Sequence, residues 1–138
     1  MKYLCIIFAL LVSGCASFNK ESTLYTNYEQ YKESTLKSKD YIKYFSEVIT
    51  NNINASNESQ LLFSKYMSKE LHHYERINNK IGCLTVNGVG DKNEPVSFFL
   101  EYKNENKKWL ISDIDVTFLE DKKNYNSKAL CPKDVRVK

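Results

Sequence analysis

Two strands' worth of alternating side chains around a polar turn constrain this chain more than any other stretch. Val96, Phe98, Leu100 and Tyr102 place apolar groups at every second position, Ser97, Glu101 and Lys103 lie between them, Asn104-Glu105-Asn106-Lys107 is turn-forming, and Lys108 to Phe118 runs back. A period of two sends successive side chains to opposite faces, so this segment is an antiparallel hairpin with one face turned to a core. In the return strand Leu110, Ile114, Val116 and Phe118 share one parity and Trp109, Ile111, Asp113 and Asp115 the other. The second set begins apolar and ends acidic. Either the strand is buried on both faces near the turn, or it switches faces at a bulge. Upstream, Gly82 to Val86 is a shorter strand, and Asn87-Gly88 through Pro95 holds the punctuation of a turn.

Before Lys80 the apolar spacing is helical. Tyr41, Ile42, Tyr44, Phe45, Val48, Ile49 and Ile53 predict a helix from Ser38, its N-cap, to Ile53, with the asparagines from Asn51 onward as its exit. Asn57 with Gln60 three residues later has the form of a capping box, and Leu61, Leu62 and Phe63 predict a second helix over Glu58 to Tyr66. Ser68 caps a further turn or helix carrying Leu71, Tyr74 and Ile77. Residues 16–37 are polar and read as a tether. Leu24, Tyr28, Tyr31 and Thr35, three or four apart, offer the alternative of an outlying helical turn whose tyrosines pack rather than bind a ligand. Helices followed by strands predict an α+β fold, with helices packed on a bent antiparallel sheet of three to four strands, as one domain over 38–138. The tail from Glu120 is polar and should be loose beyond Asp134.

The N-terminus has a different character. Lys2, the apolar run Tyr3 to Val12 and the small pair Ser13-Gly14 have the three-part layout of a secretion signal over residues 1–14. Its apolar core is too short to span about 30 Å of hydrocarbon, which takes about 20 helical residues. Val12-Ser13-Gly14-Cys15 resembles the lipobox of bacterial lipoproteins. That resemblance implies cleavage before Cys15, a diacylglyceryl group on its sulfur and acylation of the new N-terminus, giving a stable membrane anchor. Ala16-Ser17 in place of an aspartate implies the outer rather than the inner membrane, with the head facing the periplasm. Residues 15–37 are then the lipidated N-terminus and tether.

The compartment simplifies the four cysteines. Cys5 leaves with the signal, Cys15 takes lipid, and Cys83 and Cys131 remain to pair in an oxidising space. Their bridge closes a loop of about 50 residues, worth about 4 kcal/mol in the chain-entropy model. Neither belongs to a CxxC unit, which argues against zinc or a thioredoxin-type motif. The formal charge of +3 is no nucleic-acid signature.

Phe63-Ser64-Lys65-Tyr66-Met67-Ser68-Lys69-Glu70-Leu71 and Lys108-Trp109-Leu110-Ile111-Ser112-Asp113, within the helix-then-hairpin order, resemble small envelope members of the NTF2-like, cystatin-like group. The resemblance spans about Asp40 to Phe118. It implies architecture, not activity.

Candidate chemistry is sparse. His72 and His73 lie between Glu70 and Glu75, but on a helix neighbours diverge by about 100° and do not converge on a metal. Asp113 and Asp115 share a strand face, which permits acid–base pairing under burial, although a solvated face is the commoner arrangement. No nucleophile elbow, phosphate loop or dinucleotide motif is present. The expectation is a non-enzymatic, lipid-anchored protein without a cofactor that binds an envelope protein or component. One alternative is an immunity or inhibitor lipoprotein acting against a periplasmic toxin or cell-wall hydrolase. The other is an NTF2-like domain with an aromatic-lined pocket for a small ligand.

Overall fold

The computed structural model describes residues 23–37, 40–54 and 57–136. The fold is α+β. Helix α1 (Thr23–Lys37) crosses one face of a four-stranded antiparallel sheet whose strands β1 (Lys69–Asn78), β2 (Ile81–Val89), β3 (Pro95–Glu105) and β4 (Lys108–Phe118) lie side by side in chain order. Between α1 and β1 come a 3-10 turn at Asp40–Tyr44, the short helix α2 (Glu47–Thr50) and a kinked 3-10 segment over Glu58–Tyr66. After β4, a 3-10 turn at Lys122–Asn124 leads to helix α3 (Pro132–Arg136).

The segment read as a tether contributes the central helix from Thr23 on. Leu24, Tyr28 and Tyr31, spaced four and three apart on one stripe, are fully buried against the sheet. Tyr31 stacks on Phe63 at 5.1 Å, and Phe63 meets Phe98 edge-on at 5.2 Å. Two glycines let the layers close. A Cβ at Gly82 would lie 2.6 Å from Leu24 Cδ1, and one at Gly88 would lie 2.4 Å from the Lys69 carbonyl oxygen.

Three local expectations are corrected. The helix over Ser38–Ile53 is not continuous among the described residues. Phe45 forms a parallel bridge with Ile111, and the Ser46 N–H donates to the Ile111 carbonyl at 2.9 Å, so the chain is pulled onto the edge of β4 and helical geometry resumes only at Glu47. Asn57 does not cap the segment at Glu58; its amide donates to the Asn52 carbonyl at 3.0 Å. The helix expected after Ser68 is instead β1, which pairs with β2 along its length from Lys69↔Val89 to Asn78↔Ile81. Leu71 falls where the register shifts, between Glu70 and His72. The spacing of Leu71, Tyr74 and Ile77 was a chance match to a helical stripe, and pairing with a distant strand overrode it.

In β4 the bulge resolves the parity question. Glu101 pairs with Asp113 and Tyr102 with Ile111, leaving Ser112 as the extra residue. Trp109 and Ile111 before it, and Ile114 and Val116 after it, all reach the helix-side core. The strand expected over Gly82–Val86 runs on to Val89, and the turn after it is confined to the residues between Val89 and Pro95.

The second face of β2 and β3 is covered by residues 119–136. Leu130 N–H donates to Thr85 Oγ1 at 2.9 Å, the Asn87 amide donates to the Asn126 carbonyl at 2.8 Å, and the Tyr125 hydroxyl donates to the Gly88 carbonyl. Cys83 and Cys131 form a disulfide that fastens this strap. Its last turn is not loose, because Arg136 pairs with Asp113 at 2.8 Å.

Candidate functional site

Of the residues singled out in the sequence, Cys15 lies outside the described residues. Cys83 and Cys131 meet with Cα atoms 4.8 Å apart, and both are buried. His72 and His73 are neighbours on a strand, so they face opposite ways. The His73 ring stacks on Tyr25 at 3.6 Å and 7°, and both histidines are exposed. Among the described residues no cluster of three or more His, Cys, Asp or Glu has metal-holding geometry. Asp113 and Asp115 share a face, as the strand period required, and both are met by Arg136, at 2.8 and 3.7 Å. Donating to Asp113 in turn raises the Arg136 guanidinium above its ordinary value.

The charged junction between α1 and β1 went unread in the sequence. Glu75, on the helix-facing side of β1, accepts from the N–H groups of Leu24 at 2.9 Å and Tyr25 at 3.3 Å, closing donors that an isolated helix would leave open. Glu70 accepts from the Tyr25 hydroxyl at 2.5 Å and is paired with Lys32. Burial, and then this bond to Glu70, raise the Tyr25 hydroxyl well above its ordinary value. These carboxylates seat a helix on a strand, and the partners that occupy them are backbone and side chains of the fold itself.

A different surface remains open. Ile49, Leu61, Phe63, Tyr66, Ile114 and Val116, with Gln60, Asp113 and Asp115 at its polar side, line a groove of about 320 Å³ between the 3-10 segment and β4. Tyr66 and, next to it, Phe118 are exposed to 51 and 56%, and their rings meet edge-on at 6.0 Å. The larger hollows beside β1, of about 830 and 960 Å³, are walled mainly by polar and charged side chains.

The edge of β4 along this groove is partly closed. The Leu119 N–H donates to the Pro95 carbonyl at 2.9 Å, so by antiparallel alternation Ile114, Val116 and Phe118 turn their backbone groups outward. At Ile114 both groups are already engaged: the N–H by Asp113 at 2.9 Å and the carbonyl by Arg136 at 2.5 Å. At Ile114, therefore, side chains and not an open strand edge face the groove. Sequence reasoning missed the groove because Tyr66, Ile114 and Phe118 are distant in the chain; the one signal available was the apolar parity of β4.

No family model matches the chain, and neither a curated protein nor a solved structure matches it. Among the described residues no helix is long and apolar enough to cross a membrane.

Proposed function

We propose that this chain is a bacterial lipoprotein, held by lipid on Cys15 at the periplasmic face of the outer membrane, whose head binds an envelope protein through the groove beside β4. The observation that carries the binding role is the half-exposed ring pair of Tyr66 and Phe118 beside a groove that is apolar along Ile49, Leu61, Phe63, Ile114 and Val116. Isolated exposed apolar residues are ordinary, but aromatic side chains gathered at a groove have the composition of an interface centre. The lipobox over Val12 to Cys15 supports the anchor. A helix laid across a four-stranded antiparallel meander supports the cystatin-like reading of the fold. Rings of Tyr28, Tyr31, Phe63 and Phe98 fill the space between α1 and the sheet, which favours a protein partner over an enclosed small ligand.

Photocrosslinking in intact cells tests the reading. A crosslinker at Tyr66 should capture a discrete envelope protein, and one at His72, on the far edge, should not. Tyr66→Ala with Phe118→Ala should weaken binding of the captured partner at least about 30-fold, equivalent to about 2 kcal/mol at a central aromatic anchor. Equal capture from both positions, or unchanged affinity, overturns the groove. Labelled palmitate should enter the wild type and not Cys15→Ser. If the captured partner is a toxin or a cell-wall hydrolase and the chain protects cells against it, the binding is that of an immunity protein or inhibitor.

A further inference from the structure

The two hairpin turns at one end of the sheet form a single surface. The Asn104 N–H at the end of β3 donates to the Lys80 carbonyl in the β1–β2 turn at 2.8 Å, tying the turns together. Lys80, Lys107 and Lys108 are exposed there, and Lys103 lies beside them; none of the four takes part in an ion pair among the described residues. Glu105 is the one acid in either turn and its flanks over residues 78–81 and 103–108. Ile77 and Ile81, 43 and 42% exposed, flank the first turn, and Arg76 and Lys133 join Lys80 around an adjoining hollow of about 540 Å³. The opposite end of the sheet, by contrast, mixes Asp91, Glu94, Glu120 and Asp121 with its lysines.

Helix α1 starts over this same end. Leu24 packs against Gly82, immediately after Ile81, and the first N–H groups of the helix are held by Glu75. Thr23 is eight residue steps from Cys15, a reach of at most about 28 Å when fully extended. A head anchored at Cys15 is thus held close to the bilayer on the side where its basic, isoleucine-flanked turns lie.

We propose that this hairpin end is a membrane-docking surface. Lys80, Lys107 and Lys108 lie over the phosphates of anionic phospholipids, and Ile77 and Ile81 enter the headgroup boundary. The geometry rests on the Cys15 anchor of the proposed function. Docking at this end points the far end of β4, with Phe118 and the groove, away from the lipid. The physical basis is the attraction of basic side chains to an anionic surface, about fivefold in equilibrium constant per lysine, which falls off within a Debye length of about 8 Å at physiological salt.

The test uses the mature lipoprotein reconstituted in vesicles of phosphatidylcholine with or without phosphatidylglycerol. A polarity-sensitive fluorophore is attached at Asn78→Cys or, separately, at Asp91→Cys, with spin-labelled headgroups as quencher. The Asn78 label should be quenched strongly only with phosphatidylglycerol and at low salt, and the Asp91 label should stay in water. Lys80→Gln, Lys107→Gln and Lys108→Gln together should lower the ratio of docked to undocked heads about a hundredfold, with circular dichroism confirming an intact fold. Equal quenching of the two labels, or quenching indifferent to phosphatidylglycerol and to the lysines, overturns the proposal. So does an Asn78 probe that contacts protein instead of lipid. Flotation reports the anchor separately. Vesicles that carry the wild type but not Cys15→Ser uphold the lipid even where docking fails, whereas a wild type that does not float removes the anchor itself.

Discussion

Tyr28 and Tyr102 show most directly what single residues contribute and cost. Both are buried on the helix side of the sheet, and neither hydroxyl has a hydrogen-bond partner among the described residues. Burial raises both hydroxyls well above the ordinary value near 10. A group whose folded value is raised stabilises fully below its unfolded value, and that stability is lost as pH climbs past it. The folded protein should therefore lose up to about 1.4 kcal/mol per pH unit for each protected tyrosine above pH about 10, and ionisation of these rings, followed at 295 nm, should coincide with unfolding. Rings that ionise in a folded protein would contradict this. Tyr102→Phe should be neutral or stabilise by about 1 kcal/mol in urea titrations, because it removes a buried hydroxyl without a partner while keeping the ring. The tyrosine spacing of α1 was legible in the sequence. The cap supplied by Glu75 was not, since nothing local says that a strand about 50 residues away will supply the acceptor.

Among the elements, β4 is the one whose edge matters most. Phe45 and Ser46 cover it at Ile111, and Asp113 and Arg136 close it at Ile114, leaving the outward backbone groups of Val116 and Phe118. Arg136→Ala should cost less than about 1 kcal/mol, as expected for a half-exposed ion pair, yet it frees the Ile114 carbonyl beside an apolar groove. Sedimentation at increasing concentration should then show self-association that the wild type lacks; a monomer at every concentration would mean that Arg136 does not guard the edge. The alternation of β3 and the turn before Lys108 could be read from sequence because a hairpin is a local object. There Asn106 and Lys107 both take positive φ, 51° and 65°, the backbone of a two-residue hairpin turn. The identity of β1 could not be read, because Leu71, Tyr74 and Ile77 fall at helical spacing in Lys69–Asn78, which becomes a strand by pairing with β2.

For the whole molecule, the disulfide decides how many layers the head has. With Cys83 and Cys131 joined, residues 119–136 form a third layer over Thr85 and Asn87; without the bridge that layer is held by hydrogen bonds and by the surface ion pairs of Asp134 and Arg136. Cys83→Ala with Cys131→Ala should lower stability by about 4 kcal/mol, and hydrogen exchange should accelerate first in the strap, before the strands. Uniform acceleration across the sheet would show that the strap is not a separate unit. By itself the sequence determined what depends on neighbours in the chain: the β3–β4 hairpin, the parity conflict in β4 that the structure resolves as a bulge, and the α+β class. It also pointed to the Cys83–Cys131 pair through the compartment its N-terminus implies. Only the tertiary structure decided that residues after Thr23 are the central helix, that Lys69–Asn78 is a strand, and that the apolar groove and the basic hairpin end lie at different parts of one sheet. The physical reason is that strand pairing and helix seating are contacts between distant segments, whose free energy exceeds the propensity of about ten residues taken alone.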